Sequence, residues 1–345
     1  MAAASLPANI HPAQQAQLKD RHGRTIRDLR VSITGRCNYK CVYCRTGEAG
    51  AQYPELAFDE FVRLVAIFAV LGISKVRLTG GEPLLRPGIV DLVRQLARLR
   101  TAGGDPLDLA LTTNGHFLES LAAPLKNAGL NRVTVSMDAV DAATFERITR
   151  VKGSFSSVLA GICAARAAGL TPLKVNCVLL RGFNDDQIEG FVRFAREEHV
   201  VVRFIEFMPL EEGRLWTPDI VVTLNEIVER IGRTMPLKEL AAREAGETAR
   251  RYTFSDGVGE IGIIAPVSQA FCGACSRVRL TSDGKIRTCL FSQVEHDLYG
   301  RMRAGASDAE LRAYILRTVE EKEARHHIGE PGFLKPSRSM VHIGG

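Results

Sequence analysis

The chain has 345 residues, 46% of them hydrophobic, enough for one large domain or one domain with a smaller appendage. Its formal charge of +6 is spread along the chain, which fits an anionic small molecule better than a nucleic acid, although a solvated basic surface would look the same. The longest apolar stretch, LVAIFAVLGI at 64–73, is too short to cross a bilayer, and no basic start leads into an apolar region at the N-terminus. No membrane contact is therefore expected, and the chain is assigned to the reducing cytoplasm.

Residues 1–23, which begin rich in Ala, Pro and Gln, read as a flexible arm. LRVSIT (29–34) is the first predicted strand, followed by a loop with Cys37, Cys41 and Cys44, then a helix over FDEFVRLVAIFAVLG with Asp59 near its start. KVRLT (75–79) is the second strand, followed by GGEPLLRPG and a helix over 89–99. LDLALTT (107–113), RVTVSMD (132–138), LKVNCVLL (173–180) and VVRFIEFM (201–208) are further strands, with helical periodicity between them. Six strand–helix units predict an α/β fold, an incomplete (β/α)6 TIM-like barrel over 24–220. Beyond it the rhythm changes. TLNEIVERI has capping-box spacing between Thr223 and Glu226. RYTFSDGVGEIGIIAPVS and VRLTSDGKIRTCL each place Asp-Gly between strand-like residues, the signature of a hairpin. Residues 221–345 are thus expected to form an α+β extension with a helix near 308–323 and a polar tail ending HIGG.

The cysteines carry the chemistry. Cys37, Cys41 and Cys44 lie within eight residues, too few and too close for disulfides. Cys272 and Cys275 are followed by Cys289, and a hairpin turning at Asp283 and Gly284 would pair Cys289 near Val278, bringing it back toward the other two. The remaining thiols, Cys163 and Cys177, read as packed apolar residues. Structural zinc takes four ligands and catalytic zinc keeps a position open, while iron–sulfur clusters are also held by thiolates. A 4Fe–4S cube with three protein ligands leaves one iron free for a small molecule. Spacing alone leaves iron–sulfur, zinc and unrelated thiols all open.

CxxxCxxC after the first strand, with Tyr43 just before Cys44, and GGEP (Gly80–Pro83) after the second strand resemble the radical S-adenosylmethionine enzymes. The resemblance implies that Cys37, Cys41 and Cys44 hold a 4Fe–4S cluster whose open iron chelates S-adenosylmethionine. DLRVSITGRCNYKC, KVRLTGGEPLLR, LTTNG, VTVSMDA, LKVNCV, GFNDDQ, RFIEFMPL, FCGACSRVRLTSDGKIRTCL and the final IGG occur in the order of one branch, and the resemblance runs from about Arg24 to the C-terminus. That branch is the GTP 3′,8-cyclase family, also called molybdenum cofactor biosynthesis protein A. It implies a second 4Fe–4S cluster on Cys272, Cys275 and Cys289.

By the same resemblance Arg30, Arg77, Thr112, Lys174, Arg277, Val278 and Arg279 would contact GTP. Tyr43, Gly81, Ser136 and Met208 would contact S-adenosylmethionine, with Glu82 suited to its ammonium. Arg279, Gly344 and Gly345 would assist reduction or radical control. Independently, a triphosphate calls for several converging cations, and Arg suits bidentate phosphate contact. Taken singly, each such strand Arg or Lys reads as a solvated charge, and Gly344-Gly345 as a frayed tail. No GxxxxGK followed by Ser or Thr occurs, and no GxGxxG opens a helix after the first strand, so neither a P-loop nor a dinucleotide site is expected.

The implied reaction is reductive cleavage of S-adenosylmethionine to a 5′-deoxyadenosyl radical, which takes the ribose 3′ hydrogen of GTP; the carbon radical then attacks guanine C8. The second cluster would fix the base through its open iron. An electron donor and a downstream cyclic pyranopterin monophosphate synthase are the implied partners, and homodimerisation is left open. Two departures stand out: RTGEAG follows Cys44 where many relatives have Met-Pro and an acidic run, and the N-terminal arm has no counterpart. The alternatives are a radical S-adenosylmethionine peptide maturase with an auxiliary cluster and a zinc-stabilised binding protein.

Overall fold

The computed structural model describes residues 17–44, 53–213 and 215–344. The expected strands and helices alternate in it: β1 (Asp28–Ser32), α1 (Phe58–Val70), β2 (Lys75–Thr79), α2 (Ile89–Leu96), β3 (Asp108–Thr113), α3 (Leu118–Asn127), β4 (Arg132–Ser136), α4 (Ala142–Thr149), α5 (Ser154–Ala167), β5 (Lys174–Leu179), α6 (Ile188–Glu197) and β6 (Val201–Glu206). There follow α7 (Leu224–Thr234), β7 (Leu237–Leu240), β8 (Arg250–Phe254), β9 (Glu260–Ile264), β10 (Arg277–Leu280), β11 (Lys285–Arg287), β12 (His296–Asp297), α8 (Leu298–Arg303), α9 (Asp308–Glu320) and α10 (Met340–Ile343).

Strands β1 to β6 pair in chain order and in parallel. The outward side chains of β1 and β2, Leu29, Val31, Val76 and Leu78, are buried in one core with the helices. Helix α1 supplies Phe61, Leu64, Val65 and Phe68, spaced for one face of a helix. Its start is fixed by the Glu60 carboxylate, which accepts the Ala57 N–H at 2.8 Å.

The C-terminal part does more than append to this barrel. Strand β9 pairs in parallel with β6, and β10 pairs in parallel with β1, so all twelve strands form one sheet in the order β12-β11-β10-β1-β2-β3-β4-β5-β6-β9-β8-β7. Both expected hairpins form, as antiparallel β8–β9 and β10–β11. In the second, Arg279 faces Arg287 and Leu280 faces Ile286, which extrapolates to Arg277, one residue from Val278, opposite Cys289. Strands β9 and β10 do not pair with each other. The parallel array therefore stays open there instead of closing like an eight-stranded barrel.

The boundary near residue 220 is bridged by a buried carboxylate. Glu206 accepts the N–H groups of Leu224, Val267 and Ser268, each at 2.9 Å, tying the end of β6 to α7 and to the loop after β9. The expected N-terminal arm also needs correction. Residues 1–16 lie outside the described residues, but 17–23 pack against the body. Leu18 is fully buried and donates its N–H to Leu71, and Arg24 pairs with Asp20 at 2.6 Å. Arg24 also donates to the carbonyls of Cys272, Glu323 and Ala324. One buried guanidinium so joins the turn before β1 to the second cysteine segment.

Candidate active site

A cavity of about 640 Å³ runs along the barrel strands, from Asp28, Lys75 and Lys174 at their starts to Ser136 and Met208 at or beyond their carboxyl ends, within the usual range for a small-molecule site. Cys37, Cys41 and Cys44 lie on its wall, and so do Cys272, Cys275 and Cys289. The two groups are far apart in sequence; the β1–β10 pairing brings them to one space.

The first cysteine loop is shaped by its backbone. The Tyr39 N–H donates to Cys37 Sγ at 3.4 Å and the Cys44 N–H to the Cys41 carbonyl at 3.0 Å. Lys40 and Val42 donate to the carbonyls of Thr149 and Ile148, docking the loop on the end of α4. Gly81 donates to Thr34 and Glu82 to Arg36, so the GGEP turn zips against the backbone that leads into the cysteines. A Cβ on Gly81 would stand 2.2 Å from the Arg36 carbonyl oxygen, which is why glycine is required there. Glu82 itself is turned inward. It is fully buried, its carboxylate accepts from Thr113 Oγ1, Asn114 N–H and Leu84 N–H at 2.7–2.9 Å, and burial pushes it up to about 7. It braces the turn from behind, and an ammonium partner would have to displace those donors.

Tyr43 and Ser136 line the cavity with Gly81 and Met208. The Tyr43 hydroxyl donates to Asp138 Oδ2 at 2.7 Å, and Val178 N–H donates to the other oxygen at 2.8 Å. Burial pushes Asp138 up to about 6 and Cys41 well above the usual thiol range, the latter reinforced by Asp138.

The cations form a row across the strands. Arg279, Arg30 and Arg77 are direct neighbours on β10, β1 and β2, and the row continues through Ala110 to Arg132 on β4. Side chains in such a row share one face of the sheet, here the cavity face. Lys174 and Arg203, on β5 and β6, join the lining. Arg77 is oriented by Thr112 and Thr134 at 3.1 and 3.2 Å, and Arg203 by the Asn176 oxygen at 2.9 Å. Burial, then repulsion from neighbouring guanidiniums, pulls Arg30 and Arg203 down to about 10 and Lys174 down to about 8. Arg77 and Arg279 are lowered for the same reasons. Arg132 is paired with Asp108, and Glu244 with Lys75 at the edge of the lining; the cluster of Arg30, Arg77, Arg203 and Arg279 remains a receptor for a polyanion.

At the second thiol group, burial raises Cys275, but the charges of Arg277 and Lys322 outweigh it and bring it down to about 7. Arg277 donates to its sulfur at 3.3 Å. Val278 points the other way: its side chain is 1% exposed and belongs to the core, so any contact it makes with a ligand is through main chain. Gly344, with φ of +72°, reaches the site and its carbonyl accepts from Arg279. Gly345, the RTGEAG loop at 45–50 and residues 1–16 of the arm lie outside the described residues.

Among the described residues no three His, Cys, Asp or Glu side chains converge closely enough for a single metal ion. A single zinc needs every sulfur about 2.3 Å from one point, whereas a four-iron cube takes each thiolate at a different corner. All eight cysteines are free of disulfides. Each triplet, free of disulfides and on the lining of one cavity beside an anion receptor, fits an iron–sulfur cluster with one free iron.

Asp138, Arg132 and Arg203 escaped the sequence reading. Strand alternation could have found Arg203, since Val201, Arg203 and Ile205 share the less buried face of β6.

Residues 31–195 match the radical S-adenosylmethionine superfamily and residues 200–328 match the family Molybdenum Cofactor Synthesis C. A GTP 3′,8-cyclase of Moorella thermoacetica is 44% identical over 95% of this chain and all of its own length. One from Xanthomonas axonopodis pv. citri is 46% identical over 82% of this chain and 85% of its own. Among solved structures, Streptococcus suis SuiB bound to the precursor peptide SuiA superposes with a TM-score of 0.62 at 14% identity, covering 87% of this chain and 67% of that one. That likeness concerns the fold alone. No helix among the described residues is long and apolar enough to cross a membrane.

Proposed function

The chain belongs to the GTP 3′,8-cyclase family of radical S-adenosylmethionine enzymes, and from that premise we propose how its residues divide the work. The enzyme cyclises GTP to (8S)-3′,8-cyclo-7,8-dihydroguanosine 5′-triphosphate, the first step of molybdenum cofactor biosynthesis, with 4Fe–4S clusters and S-adenosylmethionine as cofactors. The observation that carries the assignment of roles is the single cavity: two thiol triplets on its lining, with a row of cations across it of which, among the described residues, only Arg132 has a carboxylate partner, Asp108.

Cys37, Cys41 and Cys44 hold the first cluster, and Cys272, Cys275 and Cys289 the second. When bound, the first cluster and S-adenosylmethionine supply one-electron bond cleavage, and the second supplies an open iron for the guanine base. Tyr43, fixed by Asp138, packs at the adenine; Gly81, Ser136 and Met208 complete the cofactor's wall, and Glu82 holds the turn that presents Gly81. Arg30, Arg77, Thr112, Lys174, Arg277 and Arg279 bind the triphosphate end of GTP, together with Arg132 and Arg203; Val278 contributes backbone. Holding the nucleotide at both ends sets the ribose carbon against the base by positioning, without a protein acid or base in the bond-forming step. Arg279, whose guanidinium donates to the Gly344 carbonyl, and the Gly344-Gly345 tail assist reduction or radical control.

Residues 24–220 form the radical unit and 221–345 the auxiliary-cluster unit. A protein electron donor reduces the first cluster, and a separate synthase consumes the unstable product. The six cavity thiols, free of disulfides, support a cytoplasmic site of action. The test is anaerobic turnover of reconstituted protein with S-adenosylmethionine and dithionite, with and without GTP. Formation of 5′-deoxyadenosine and loss of GTP should each require the other substrate; 5′-deoxyadenosine without GTP consumption would point to a different substrate.

A further inference from the structure

Arg338 lies outside the cavity lining, yet it is 3% exposed and held by two carboxylates and an aromatic ring. Its two terminal nitrogens fork onto the Asp283 oxygens, each at 2.8 Å, and its Nε reaches Glu295 at 2.8 Å. Its guanidinium also lies 3.8 Å above the Tyr53 ring. Asp283 occupies the tip of the β10–β11 hairpin, whose strands carry Arg277 and Arg279 and lead into Cys289.

The hairpin does not need Arg338 for charge balance. Asp283 and Glu295 also have Lys285 at 3.7 and 3.6 Å, and Glu295 has Arg287 at 2.6 Å. With Arg338 removed, two carboxylates still face two cations. Beyond Arg338 the chain is held by a hydrogen bond from Ser339 Oγ to Glu212 at 3.3 Å and by the burial of Val341 and Ile343. Met340 N–H donates to the Leu210 carbonyl at 3.2 Å, Met340 and Val341 line the cavity, and Gly344 receives Arg279. This segment comprises one short helix, too brief to hold itself in place.

We propose that Arg338 is the positioning residue of the tail: it pegs residues 339–344 to the β10–β11 hairpin so that they form one wall of the reaction cavity. It touches no lining group itself and acts through the segment it anchors. The inference rests on the cavity being the GTP site, but the peg can be tested without substrate.

Hydrogen exchange by mass spectrometry on the cluster-loaded enzyme would compare wild type, Arg338→Met and Arg338→Lys. In Arg338→Met the peptide covering 339–345 should exchange about tenfold faster or more, while the peptide covering 277–289 keeps its protection. Arg338→Lys, which retains the charge without the fork, should fall between. In turnover, kcat should drop while the KM for GTP stays within about twofold. Removing residues 339–345 should cost at least as much, and adding Arg338→Met to that truncation should cost nothing further. Unchanged tail exchange, equal loss of protection in the hairpin, or additive losses in the double variant would each overturn the proposal. Failure of wild type to consume GTP would refute the cyclase assignment and leave the exchange result standing.

Discussion

Lys174 gives the sharpest test of the polyanion receptor. Burial and the repulsion of Arg203, Arg77 and Arg132 bring it down to about 8 from the usual 10.5. A bound triphosphate cancels that repulsion and restores the charged form. In the empty site the lysine is half charged at about pH 8 and fully charged only well below it, so binding is strongest at lower pH and weakens as pH rises through 8 toward the bound-state value. The full gap corresponds to about 3 kcal/mol. Lys174 is only part-buried, and solvent screening reduces this to about 1–2 kcal/mol, a loss of roughly five- to thirtyfold in GTP affinity as pH rises through 8 toward 10. Calorimetric titration at fixed ionic strength would measure it. Lys174→Arg serves as the reference, because it keeps the charge and the nucleotide's own ionisations while removing the lysine titration. Lys174→Met should bind about tenfold or more weakly at pH 7 and melt at a higher temperature, since an unfavourable buried charge is gone. Parallel pH profiles for wild type and Lys174→Arg would refute the reasoning.

Asp138→Asn replaces a charged acceptor of the Tyr43 hydroxyl by a neutral one, so S-adenosylmethionine affinity should fall by about three- to tenfold while iron content stays at the wild-type level, read by equilibrium dialysis and iron analysis. Cys289→Ala should lose one cluster's iron and spare the other; an iron count equal to wild type would contradict the hairpin geometry. Gly81→Ala would press a methyl onto the Arg36 carbonyl and force apart the two loops that frame the first cluster. It should destabilise by about 1–3 kcal/mol in chemical denaturation and load less iron.

Much of this was legible in the sequence because the signals are local. KVRLT is β2 to the residue, and Asp283-Gly284 turns the predicted hairpin. Thr223 caps α7 by accepting the Glu226 N–H, as the spacing required. Less legible were features that depend on partners far along the chain. Whether Glu82 meets a ligand or the scaffold is decided by Thr113 and Asn114 on the neighbouring strand's loop. Val278 and Arg279 are adjacent in sequence but lie on opposite faces of β10, a distinction that only strand pairing fixes. Arg338 sits in an unremarkable polar stretch, and its role comes from two carboxylates more than forty residues earlier.

The pairing of β10 with β1 and of β9 with β6 also has a consequence for how the protein is made. A ribosome that has released the first 210 residues has delivered all six barrel strands and the whole first cysteine loop, but both outer strands still expose unpaired backbone. Strand β9 covers one edge some fifty residues later; the other waits for residues 277–280. During that interval the nascent chain is at its most aggregation-prone, and iron delivered early would meet three thiols whose pocket lacks its far wall. Synthesis must therefore run nearly to the end before the chain can shelter oxygen-sensitive metal.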